Sequence, residues 1–174
     1  MKLDEYQAAA KQTAIYPGEL VYPALGLCGE ICELLSALGD GEEIPKEIGD
    51  VLWYVANMAA DAGLTLSEVM GRKTFPNHNR TVYANSDHVI DVIVLAGGEV
   101  AENVKKTLRD DGGKLCDRRR TNIKKALKII VRELNLLCWA VYPRVQLEEC
   151  AEINIAKLRS RQSRGKLIGD GDNR

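Results

Sequence analysis

The sequence is poor in aromatic residues, 5% of 174 with a single phenylalanine, which suits Leu/Ile/Val/Ala-rich helical packing better than a β-sandwich. It also lacks a charge excess. A formal net charge of −1 gives no global electrostatic reason for a nucleic-acid or membrane partner, so any polyanion site must be local. No CxxC spacing occurs among the five cysteines, and Cys28 and Cys32 have no histidine near enough to complete a zinc site. Buried free thiols in a reducing cytosol are the expectation. The two histidines, His78 and His88, are too far apart to form a helical ligand pair and read as surface residues. MKLDEYQAAAKQ has no apolar stretch of the kind a secretory signal needs, and VLWYVANMAA is interrupted by Asn57 and too short to span a bilayer. A cytoplasmic chain with no membrane partner is expected, large enough to bury a core without disulfides or a structural metal.

What is present is helical periodicity. LDEYQAAAKQTAI predicts a first amphipathic helix stopped by the turn at Tyr16, Pro17 and Gly18. A second is expected after Pro23, where Leu27, Ile31, Leu34 and Leu38 recur on one face. A third carries Ile48, Val51, Leu52, Val55 and Ala59 and ends at Gly63. TLSEVMGRK opens with a capping box, Thr65 with Glu68 three residues on. The polar stretch FPNHNRTVYANSDH reads as a linker, and the helical pattern then resumes in three segments: 88–109, about 119–142, and through VQLEECAEINIAKLRSRQ to near Gly165. The GDGDNR tail has no assignable element.

The two halves can be superposed. GEICELL matches GEVAENV, KEIGDVLW matches RELNLLCW with Trp53 on Trp139, and LTLSEVM matches VQLEECA. An internal duplication follows, in which neither copy buries its apolar face alone. The expected organisation is an all-α bundle of two units, 1–75 and 89–174, joined by a linker at 76–88.

Acidic pairs stand out against this background. Glu30 and Glu33 are three residues apart on the second helix, and Glu47 and Asp50 on the third. A short connection makes these helices antiparallel neighbours, which can bring the four carboxylates together. Helical spacing puts Glu30 and Glu47 at the edges of their apolar stripes, with Glu33 and Asp50 one step outward. Four acids in a partly buried groove raise one another's proton affinity unless a cation compensates them, and Mg²⁺ is the natural occupant, with Mn²⁺ as a substitute. Any one such pair is ordinary on a solvated helix face; two pairs on adjacent helices are less so.

YPALGLCGEICE followed by KEIGDVLWYVANMAADAGLTLSEV resembles the MazG-like, all-α nucleoside triphosphate pyrophosphatases, whose signature is ExxE, a loop, then ExxD. Glu30, Glu33, Glu47 and Asp50 fill that signature. ENVKKTLRDDGGKL and the closing AEINIAKLRSRQSRGKLIGDGDNR resemble segments of short, often phage-encoded members. The resemblance implies Mg²⁺-dependent hydrolysis of an NTP or dNTP to the monophosphate and pyrophosphate, in the host cytoplasm if the chain is phage-encoded. One carboxylate would deprotonate the attacking water, with Glu30 favoured over Glu33 on no decisive ground.

The second half departs from this pattern. It keeps Glu99, Glu102 and Glu133, but Leu136 stands where Asp50 is matched, and an aliphatic side chain cannot bind a metal. The first half, in turn, lacks the NxxKL element. The expectation is a fused pseudo-dimer with one competent site: metal ligands from the first half, and phosphate or base contacts from Asn154, Lys157, Arg159 and Arg161 in the second. Glu99, Glu102 and Glu133 would then form at most a weak second metal site. A homodimer of the fused chain is left open. The alternative function is a catalytically impaired relative that sequesters a nucleotide or alarmone. Nucleic-acid binding through CDRRRTNIKKALK is not expected, because nearby Asp110, Asp111 and Asp117 balance its cations.

Overall fold

The computed structural model describes residues 1–40, 43–71, 86–140 and 144–168. They form helices α1 (Leu3–Gln12), α2 (Val21–Asp40), α3 (Ile44–Asp61), α4 (Leu66–Met70), α5 (Ser86–Asp110), α6 (Asp117–Ala140) and α7 (Leu147–Ser163), with no strand among the described residues. The all-α expectation holds. Most of the proposed linker, His78 included, and the GDGDNR tail lie outside the described residues. The linker's last residues, 86–88, belong to α5.

Two long antiparallel hairpins, α2/α3 and α5/α6, make the frame, and α2 packs along α5. The predicted stripes are what they bury. Leu27, Ile31 and Leu34 on α2 meet Ile48, Val51, Leu52 and Val55 on α3 in one apolar core continuous with Ile93, Val100, Ile130 and Leu134 of the second hairpin. Each such side chain contributes about 1.5–3 kcal/mol relative to exposure. Helices α4 and α7 cross over: α4 packs on α6, and α7 lies on α3. Each hairpin is therefore capped by the helix that follows the other one.

Polar locks fix the elements at the ends. Buried Gln7 of α1 donates to the carbonyls of Ala56 (3.2 Å) and Leu64 (2.9 Å) and accepts from the Leu66 amide (3.0 Å), tying α1, α3 and α4. Thr65 and Glu68 form the predicted capping box. Buried Arg119 holds Asp111 (3.1 Å) and Asp110 (3.4 Å) of the α5/α6 turn, and Arg120 donates to the Ala62 carbonyl (3.1 Å) while pairing with Asp117. Within the basic run around residues 118–128, Arg119 is buried and Arg120 half-buried, while Arg118, Lys125 and Lys128 remain exposed.

Three sequence expectations need correction. Helix α2 starts at Val21, with Pro23 inside its first turn, where a missing N–H leaves no intrahelical bond unmade. Only Cys138 and Cys150 are buried; Cys32 is exposed, and Cys28 and Cys116 are half-buried. Finally, Val21–Leu38 is long and apolar enough by composition to cross a membrane, a longer run than VLWYVANMAA, though it carries both Glu30 and Glu33 and packs on α3 and α5.

Candidate active site

The α2/α3 hairpin places Glu30 opposite Glu47 and Asp50, and these three each offer a carboxylate oxygen within 4.8 Å of the others. They open into a cavity of about 340 Å³ whose wall also includes Glu33, Lys157 and Arg161. Glu33 is exposed and stands outside the close trio. The outward ordering expected for Glu33 and Asp50 therefore holds for Glu33 only. Asp50 is drawn inward because α7 covers it.

Gly49 permits that cover. A Cβ there would lie 2.7 Å from the Cys150 carbonyl oxygen and 2.9 Å from the Asn154 Cβ, so only glycine lets α7 approach α3 this closely. The result is a pair of contacts on Asp50. Asn154 Nδ2 donates to Oδ1 (2.6 Å), and the Lys157 ammonium donates to Oδ2. Tyr6, buried in α1, directs its hydroxyl at Asn154 Oδ1 and the Gly49 carbonyl, both at 3.4 Å. Asn154 is 1% exposed and sits behind Asp50, away from the cavity wall. Arg161 is on that wall, whereas Arg159 is exposed and off it.

Electrostatics follow from this crowding. Burial, then the charges of Asp50, Glu33 and Glu47, push the Glu30 carboxyl up to about 8, with Lys157 pulling the other way. Glu47 is raised by burial and by Asp50. Glu47 Oε2 is buried with no hydrogen-bond partner, a costly arrangement for a carboxylate. Three converging hard oxygen donors, one of them an orphan, fit a divalent cation of the Mg²⁺ or Mn²⁺ type.

Aromatic residues that the sequence did not mark as part of a site also line the cavity. Tyr22, Trp53 and Tyr54 face the cavity. Tyr16 stacks on Tyr22 (4.4 Å between centroids), and Trp53 meets Tyr54 edge-on (4.8 Å). Trp53 Nε1 donates to Thr13 Oγ1 (2.9 Å), and Tyr54 fits over α2 because Gly26 has no Cβ, which would fall 1.9 Å from its ring. Helical spacing carried a signal for them: Trp53 and Tyr54 lie three and four residues after Asp50, and Tyr22 two turns before Glu30.

The second acidic set is dispersed. Glu99 is exposed, and Glu102 is held to about 2 by hydrogen bonds from Lys105 and Lys106. Buried Glu133 pairs with Arg132 (2.5 Å). Among the described residues, Glu30, Glu47 and Asp50 are the only carboxylate group close enough to share an ion.

A helical bundle with a three-carboxylate centre in an aromatic-lined cavity defines an all-α domain built around a candidate metal centre. Residues 23–80 match the family described as the MazG nucleotide pyrophosphohydrolase domain. The chain is also similar to the Gene 37 protein of Mycobacterium phage L5, 37% identical over an alignment covering 41% of this chain and 82% of that protein. This chain belongs to the MazG family, and the relative's phage source agrees with a phage-type member. No solved structure matches it.

Proposed function

We propose that the protein is a divalent-cation-dependent pyrophosphohydrolase that cleaves a nucleoside triphosphate, ribo or deoxy, to the monophosphate and pyrophosphate. One observation carries this reading: the Glu30, Glu47 and Asp50 oxygens converge in a cavity whose lining also includes the aromatic rings of Tyr22, Trp53 and Tyr54 and the cations Lys157 and Arg161. Those are the groups needed for a metal-bound polyphosphate carrying a nucleobase.

Glu30, Glu47 and Asp50 would hold the cation, which when bound neutralises charge developing on the phosphate oxygens. Lys157 and Arg161 would grip the phosphates, and Tyr22, Trp53 and Tyr54 would stack the base. Water attacks the α-phosphorus, and its proton passes to a carboxylate. Glu30 is our choice of base because burial, and then its neighbouring carboxylates, raise its proton affinity. Glu33, on the same wall and outside the trio, is the competing choice. Asn154 acts on Asp50 rather than on substrate in this reading, and Arg159 is left without a role.

The reciprocal packing of α4 and α7 supports a duplicated, fused pseudo-dimer with one competent site. The experiment is incubation of the protein with Mg²⁺ and a panel of NTPs and dNTPs, reading monophosphate and pyrophosphate. Glu47→Gln should abolish turnover and Glu133→Gln should not; equal loss would refute the one-site version. Tight nucleotide binding without product would favour sequestration instead.

A further inference from the structure

We propose that Lys157 is a built-in counter-cation of the carboxylate centre, displaced from Asp50 by an incoming divalent ion and thereby released toward the substrate's phosphates. The inference rests on the cation-dependent reading above and adds an order of events to it.

Both Asp50 oxygens already have a donor from α7. Asn154 takes Oδ1 (2.6 Å) and Lys157 takes Oδ2, so an ion bound by Asp50 must share an oxygen with one of them. A carboxylate oxygen has lone pairs enough for two partners, so sharing with the neutral Asn154 amide is tolerable. Sharing with an ammonium is not. Two cations on one carboxylate repel, and here the Lys157 and Asp50 side chains are only 15% and 17% exposed, so water screens them poorly. Lys157 also pulls against the crowding of Glu30 and, after Lys46, of Glu47, which makes its charge a counterweight shared across the cluster.

The two α7 residues differ in freedom. Asn154 is fully buried and anchored between Tyr6 and Asp50, over the tight Gly49–Cys150 contact. It can keep Asp50 oriented when the ammonium leaves. Lys157 lies on the cavity wall at the end of a flexible four-carbon stem, free to swing along it. Metal entry and phosphate grip are therefore coupled through one side chain.

The test uses the whole protein and Mn²⁺ alone, counted by electron paramagnetic resonance, with no nucleotide present. Lys157→Gln should bind Mn²⁺ about fivefold more tightly than the wild type, and Lys157→Arg, which keeps the charge, no more tightly. Lys157→Gln should also unfold at a lower temperature in EDTA, with the gap closing in saturating Mn²⁺. A second measurement needs no variant. Acetylation of the wild-type protein by an N-hydroxysuccinimide ester, read by mass spectrometry, should modify Lys157 faster once Mn²⁺ is bound. Equal or weaker Mn²⁺ binding by Lys157→Gln, or slower labelling of Lys157 with Mn²⁺, overturns the inference and leaves the hydrolase reading standing. A wild type that binds no Mn²⁺ overturns both.

Discussion

Replacing Gly49 by alanine tests how the site is held together. In an isolated helix the change would stabilise by up to about 1 kcal/mol. Here the new Cβ would sit 2.7 Å from a backbone oxygen of α7, about 0.7 Å inside ordinary contact, and 2.9 Å from the Asn154 Cβ. Backbone cannot rotate away as a side-chain tip can, so α7 must move bodily. Overpacking of this kind costs about 1–3 kcal/mol, and the movement also lengthens the Asn154 and Lys157 contacts with Asp50. A net loss of about 1–2 kcal/mol is expected in urea unfolding, together with a turnover loss larger than that instability explains, since most of the protein remains folded. Gly98→Ala is the control. Its Cβ would meet nothing within 4 Å, so it should gain about 0.5–1 kcal/mol and leave turnover unchanged. If Gly49→Ala behaves like Gly98→Ala, the argument that α3–α7 proximity builds the site is wrong.

Three further outcomes are expected. Glu30 takes up protons in the folded state at a pH where the unfolded chain has released them, so in EDTA stability should fall as pH rises from about 5 to 8. Saturating Mg²⁺ should flatten that slope in a pH series of melting temperatures; a rise with pH in EDTA would contradict the crowding argument. Tyr22→Ala, at a residue 46% exposed, should raise KM roughly tenfold with little effect on kcat or folding, and an unchanged KM would remove Tyr22 from the base-stacking wall. Glu133→Gln removes the carboxylate facing Arg132 and should lower stability modestly while leaving turnover intact, as measured by denaturation and pyrophosphate release in parallel.

The sequence carried the helices because each buries a stripe at regular spacing: every predicted stripe residue of α3, from Ile48 to Ala59, is buried. It carried three of the four expected acids, Glu30, Glu47 and Asp50, for the same reason, since spacing within a helix and a short loop decide which residues share a face. What spacing could not supply was the third helix. The position of Asp50 depends on α7, whose contacting residues are 104 and 107 positions away, so local periodicity left it one step too far out. Asn154 was assigned to substrate for a related reason: a polar side chain near basic residues suggests a ligand contact until packing places it behind a carboxylate. The aromatic wall was missed because the second helix was expected only after Pro23, which left Tyr22 outside it, whereas α2 starts at Val21 and carries Tyr22 on the helix that holds Glu30.

The crossing of α4 and α7 between the hairpins has a consequence for when the carboxylate cluster is completed. The carboxylates of the first hairpin emerge from the ribosome early, but their orienting amide and counter-charge lie about a hundred residues later. At 5–20 residues per second the nascent chain would carry an unbalanced acidic cluster for about 5–20 s before α7 could close over it. The covering of Asp50 therefore waits on the synthesis of α7, and a chain broken off before α7 would keep the three clustered acids without the helix that organises them.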